Sequence, residues 1–120
     1  MSPNNPDAEA YLPLTPPVFH VLIALADSEK HGYAILKEVE ERTDGKVQLS
    51  SGTLYALIKR LLTDGLIEEL DQRPALDDER RRYYRLTPFG RQVASAEAER
   101  MEEMLTAAKQ KRLIRRLRPT

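Results

Sequence analysis

The stretch spanning residues 50–65 constrains this chain more than any other, because the apolar period changes where it ends. Within it Leu54, Leu57, Ile58, Leu61 and Leu62 recur at helical spacing and form one stripe. Ser50 and Ser51 supply hydroxyls suited to capping the first turn, and Gly65 suits the left-handed conformation that stops a helix. The other side carries Thr53, Ala56, Lys59, Arg60 and Thr63, with Tyr55 at the border. Past Gly65 the period drops to two. Residues 66–70 (Leu-Ile-Glu-Glu-Leu) and 82–86 (Arg-Tyr-Tyr-Arg-Leu) read as strands, with Tyr84 and Leu86 on the inner face of the second. The polar connection between them, with Pro74 and Asp77, is too long for a tight hairpin.

Two further helices precede this unit. Thr15-Pro16 joins a capping hydroxyl to a proline suited to the first helical position, and Val18, Phe19, Val21, Leu22 and Leu25 make the helix that follows broadly apolar. It is expected to end near Ser28. A second helix is expected from His31-Gly32-Tyr33 to about Thr43, with Ile35, Leu36 and Val39 inward and Asp44-Gly45 as its stop. Residues 1–14 lack a periodic pattern and read as a flexible arm, whose Tyr11, Leu12 and Leu14 can dock its end on the domain.

Thr87-Pro88 repeats the helix-start signal, and no later proline intervenes before Pro119. A helix of roughly 28 residues would be about 40 Å long, far more than the preceding core can cover. Phe89 and Val93 can anchor its start. The stripe of Val93, Ala94, Ala98, Met101, Met104, Leu105 and Ala108 therefore points to a partner, most simply a second copy about a two-fold axis. The expected organisation is an arm (1–14), a domain of three helices and a ribbon (15–87), and a dimerisation helix with a basic end (88–118). The fold class is mainly α with a small β-ribbon (α+β), in the order of a winged helix-turn-helix.

In such a fold the third helix enters the major groove and the ribbon, or wing, lies along the backbone or reaches the minor groove. The chain's net charge is zero, but its charge is uneven: Arg80, Arg81, Arg82, Arg85 and Arg91 crowd 80–91 without an acid, beside Asp77, Asp78 and Glu79. It is the local field that steers a phosphate backbone.

The ordered set His31-Gly32-Tyr33, Ser51-Gly52-Thr53-Leu54-Tyr55, Leu57, Leu61, Gly65-Leu66-Ile67 and residues 82–87 with Gly90 resembles the PadR family (phenolic acid decarboxylase regulators). The resemblance covers about residues 15–92. It implies a bacterial dimeric transcription factor, usually a repressor, whose hold on double-stranded DNA falls when a small molecule or stress signal acts. It also implies that Ser51, Gly52, Thr53 and Tyr55 face DNA, with Tyr33 opening the helix that crosses the backbone. Lys59 and Arg60 are the expected cations of the reading helix, and Arg80, Arg81 and Arg82 those of the wing. No residue is assigned to an effector: after Phe89 the long helix has no aromatic residue, and Met101 and Met104 suit dimer core.

Catalysis is not expected. The two histidines, His20 and His31, have no carboxylate cluster beside them, there is no cysteine, and neither a glycine-rich phosphate loop nor a metal-ligand set is evident. No cofactor or metal is expected. The absence of cysteine, of a long apolar run and of a leader pattern reads as a cytoplasmic chain. Two other readings stay open at this level. One is a winged helix that binds protein rather than DNA. The other is a membrane-surface helix at residues 109–118, where Leu113, Ile114 and Leu117 alternate with cations.

Overall fold

A computed structural model describes residues 6–71 and 81–115. In chain order these form α1 (Pro6–Glu9), α2 (Pro16–Ala24), β1 (Lys30–His31), α3 (Gly32–Arg42), α4 (Ser51–Thr63), β2 (Ile67–Glu69), β3 (Tyr83–Leu86) and α5 (Pro88–Gln110).

Each helix begins and ends for a local reason. Ser50 caps α4: its Oγ accepts the Thr53 amide at 3.1 Å and its hydroxyl donates to Thr53 Oγ1 at 2.9 Å. At the far end Gly65, with φ +76°, lets the Leu66 amide reach the Leu61 carbonyl at 2.9 Å, closing a Schellman motif. His31 caps α3 through Nδ1, which accepts the Ala34 amide at 3.2 Å. Thr87 caps α5 through the Gly90 amide at 2.9 Å, with Pro88 in the first turn.

The core joins Val21, Leu22 and Ala24 of α2 with Ile35 and Val39 of α3, Leu54, Ile58 and Leu61 of α4, and Leu66, Ile67, Tyr84 and Val93. Burial of side chains this size contributes roughly 1.5–3 kcal/mol each before conformational entropy is subtracted. The order of the sheet is β1-β3-β2, both pairs antiparallel, with Glu68 opposite Arg85 and Lys30 opposite Tyr84. The β1 strand was not expected; two residues are too few to show a period. Tyr84 is buried and Arg85 exposed, as the alternation implied.

Polar ties brace the helices. Arg42 donates to His20 Nδ1 at 3.0 Å and to the His20 carbonyl at 3.1 Å, joining α3 to α2. Desolvation, then the Arg42 charge, holds the His20 pKa below its ordinary value. Lys30 closes the α2–β1 turn on the Ala24 carbonyl at 2.7 Å and Asp27 at 2.6 Å, and this hydrogen bond from Lys30 is the main cause of a lowered Asp27 pKa.

Three expectations change. First, docking of the arm, expected at Tyr11, Leu12 and Leu14, begins already at α1, which packs on α5. Ala8 is buried, Tyr11 meets Phe89 edge-on at 5.7 Å, and the Leu14 amide donates to Glu97 Oε2 at 2.7 Å. The burial of a single alanine leaves no periodic signature. Second, α5 ends at Gln110, short of residue 118. Arg112 turns left-handed at φ +60° and the Leu113 amide bonds the Ala108 carbonyl at 3.0 Å, so the described residues 111–115 do not continue the helix needed by a membrane-surface segment. Third, Val93 is fully buried in its own core and is not part of an exposed dimer stripe. α5 packs against α2 and β3 over its first turns, and Val93 lies on the packed side. No helix among the described residues is long and apolar enough to cross a membrane.

Candidate nucleic-acid interface

The sequence places α4 with one side sealed and one side open. Leu54, Ile58 and Leu61 are 0–2 % exposed, whereas Ser51, Gly52, Thr53, Tyr55, Ala56, Lys59 and Arg60 all face outward. The cap falls to Ser50, so Ser51 stands exposed in the first turn while the Thr53 hydroxyl is engaged with Ser50. Arg60 lies 3.9 Å from Asp64 and is 79 % exposed, a loose surface pair whose guanidinium remains available to an anion.

Tyr55 and Arg60 lie on opposite edges of this face. On the Tyr55 edge, His31, Gly32, Tyr33, Tyr55, Arg81, Arg82 and Tyr84 surround an open cleft of about 310 Å³. The start of α3, the first turns of α4 and the returning strand of the wing thus converge at one place. The rings of His31 and Tyr33 stack at 6.5 Å, His31 meets Tyr83 edge-on at 5.3 Å, and Lys37 Nζ sits 5.7 Å above the Tyr33 ring. His31 thus has a partner at each ring nitrogen, the Ala34 amide at Nδ1 and Arg81 Nη1 at 3.2 Å from Nε2. Arg82 pairs with Glu69 at 3.3 Å and Arg85 with Glu68 at 2.7 Å, so these two cations are partly neutralised by the neighbouring strand. Arg60, on the other edge, lines a separate cleft with Tyr11, Leu14, Val18, Leu57 and Leu61. Arg80, Asp77, Asp78 and Glu79 lie outside the described residues.

Gly52 holds ordinary helical backbone, and a Cβ added to it meets nothing within 4 Å. No contact among the described residues requires glycine there, although glycine within a helix costs up to about 1 kcal/mol relative to alanine.

The model of the transcriptional regulator PadR-like family matches residues 21–96, which run from α2 through this face into α5. The chain belongs to the PadR-like family of transcriptional regulators. A relative, Transcriptional regulator Rv3488 of Mycobacterium tuberculosis, is 34% identical over 85 residues, covering 71% of this chain and 75% of the relative. A PadR family transcription regulator from Clostridium difficile has a solved structure with a TM-score of 0.67 and 26% identity, covering 78% of this chain and 94% of that one. A transcriptional regulator from Clostridium thermocellum gives a TM-score of 0.65 at 25% identity, with 88% and 95% covered. This is a family of regulators and not of enzymes. The PadR-like match also explains why the ordered motifs coincide with elements: His31-Gly32-Tyr33 opens α3, residues 51–55 open α4, and Gly65 ends it.

Lys37 was not among the expected site residues, and His31 caps α3. Lys37 lies one turn beyond Tyr33 on α3, a spacing at which side chains meet, so the signal was present but common to any helix. Glu97 stands in the sequence as an acid within an apolar stripe.

Proposed function

We propose that this PadR-like chain is a homodimeric transcriptional repressor that reads a pseudo-palindromic operator and is released by a small molecule or stress signal. The observation that carries the DNA reading is the open side of α4, where Ser51, Gly52, Lys59 and Arg60 stand outward over a helix whose other side is sealed in the core. Such a helix fits the major groove, hydroxyls and cations being suited to base edges and phosphates. Tyr33, Tyr55, His31, Arg81 and Arg82 stand beside it for the flanking backbone. The dimer reading is supported by Met101, Met104 and Leu105, which are 37 %, 54 % and 45 % exposed on a helix with no covering segment among the described residues. A second copy about a two-fold axis covers that stripe with its own equivalent and sets two reading helices about one turn of DNA apart, or a multiple of it. The repressing sense and the release by a signal rest on the family likeness.

Fluorescence anisotropy with a duplex from upstream of the protein's own gene, against a scrambled duplex over a salt series, tests the reading. Preference for the native duplex at every salt concentration is expected, with a log–log slope of about −0.9 for each phosphate neutralised. Joint Lys59→Ala and Arg60→Ala replacement is expected to weaken both duplexes on the order of tenfold and reduce that slope by about 2, leaving the dimer intact. Failure of the native chain to bind either duplex at low salt would favour a protein-binding winged helix.

Gly52→Ala separates interface from scaffold. Alanine is expected to raise stability by roughly 0.5–1 kcal/mol in urea unfolding, because it favours the helix and meets no neighbour. Operator affinity should fall in the same variant. A gain in stability with unchanged affinity would remove Gly52 from the interface.

A further inference from the structure

Among the described residues Glu97 is the fully buried charged side chain, and nothing in DNA contact or dimer packing uses it. It lies on α5 on the same helical face as Val93 before it and Met101, Met104 and Ala108 after it. The structure divides this face in two. Up to Glu97 the chain covers it with its own core and its N-terminal arm; from Met101 onward it is open.

At the division the Glu97 carboxylate ties α5 to the arm and also holds Arg100 on its own helix. Oε2 accepts the Leu14 amide at 2.7 Å, which fastens the arm ahead of α2. Oε1 accepts Arg100 Nε, and Arg100 Nη1 reaches Met104 Sδ at 3.7 Å, within the open stripe. Alongside, α1 packs on α5 and Tyr11 packs on Phe89. A buried charge contributes little net stability compared with an apolar residue of the same shape, but it is costly to separate from its partners. A carboxylate here therefore selects an orientation rather than merely filling space.

We infer that Glu97 is a positioning residue that fixes the angle between the winged unit and the paired long helices, and so the half-site spacing that the dimer accepts. The inference rests on the DNA-binding dimer proposed above. Rotation of α5 about its first turns moves the two reading helices of a dimer relative to each other, and the Glu97 clasp opposes that rotation one turn before the partner face begins. Each α4 keeps its own contacts whatever that angle is. Loss of the clasp thus changes tolerance of spacing and not recognition of one half-site.

The test uses the full chain and an operator recovered from a random duplex library by selection with that chain. Three labelled duplexes are compared: the recovered operator, the same operator with one base pair inserted at its centre, and a single half-site. The insertion displaces one half-site by about 3.4 Å and turns it by about a tenth of a turn. The native dimer is expected to reject the insertion by about tenfold, and Glu97→Gln to reject it by only two- to threefold, with the affinity for the single half-site unchanged. Glu97→Met, which keeps the side-chain length and removes the acceptor of the Leu14 amide, gives the same loss of discrimination and serves as the second variant. Folded, dimeric variants that reject the inserted pair as strongly as the native chain overturn the inference. A native chain that is monomeric by sedimentation, or that recovers no operator, overturns the regulator reading and the inference with it.

Discussion

Gly90→Ala is expected to destabilise the protein by about 3 kcal/mol or more, the upper end of the cost of overpacking a core. Gly90 lies in the first turn of α5, where a Cβ would stand 1.8 Å from the Leu66 carbonyl oxygen and 2.8 Å from its carbon. Neither atom can give way. That carbonyl accepts the Thr87 amide at 3.1 Å, and the Leu66 amide closes the end of α4 on Leu61. The Thr87 hydroxyl also donates to the Gly65 carbonyl at 2.6 Å, so the end of α4 and the start of α5 are bound at the spot where the methyl would enter. Urea unfolding measures the loss directly. The same replacement at Gly52 is expected to have the opposite sign, so the pair controls for any general effect of alanine in a helix. A Gly90→Ala variant as stable as the native chain would mean that α5 does not lie against Leu66 in solution.

Glu97→Ala is the second large effect, expected to cost about 3 kcal/mol, because it leaves the part-buried Leu14 amide without its acceptor and opens a void where a fully buried side chain stood. At roughly 4 °C per kcal/mol for a chain this size, the melting temperature falls by about 12 °C. Arg100 adds little to that loss, since its half-exposed guanidinium can turn to water. The clasp also gives stability a pH dependence. The hydrogen bond from Arg100 is the main cause of a Glu97 pKa held below its ordinary value of 4.5, helped by the Leu14 amide and the Arg100 charge, while burial opposes them. A carboxyl whose folded pKa is depressed binds fewer protons in the native state than in the unfolded chain around its ordinary pKa. Its contribution is therefore complete above about pH 4.5 and is lost as the pH falls toward and through the lower folded value. Thermal melts in the native chain and in Glu97→Gln should converge as the pH drops through that window, and a gap that stays constant would show that ionisation of Glu97 is not what holds the arm.

Most of the winged unit was legible because its signals are local. Thr15-Pro16 and Thr87-Pro88 start helices through one hydroxyl and one fixed dihedral, Gly65 ends α4 through a conformation other residues rarely adopt, and the period of Leu54, Ile58 and Leu61 selects the buried side. These follow from backbone sterics and the 3.6-residue turn, which need no knowledge of distant segments. The open face of α4 follows from the same period, since whatever does not face the core faces out. Family membership rested on the order of such motifs, and residues 21–96 carry it.

What depended on tertiary structure is whatever joins segments far apart in the chain. β1 exists because residues 30–31 find Tyr83 and Tyr84 across the fold, and two residues have no period to read. The convergence of His31, Tyr33, Tyr55, Arg81 and Arg82 on one cleft needs three separate elements to be set against each other. Val93 and Met101 share one helical stripe, and only packing decides that the first belongs to the chain's own core and the second stands open. The requirement for glycine at position 90 comes from the carbonyl of Leu66, which lies 24 positions earlier in the chain. Local chemistry chose the elements and their buried sides in this protein; the long-range contacts of Leu14, Leu66 and Glu97 chose how those elements are locked together, because hydrogen bonds and steric limits between distant residues leave no trace in periodicity.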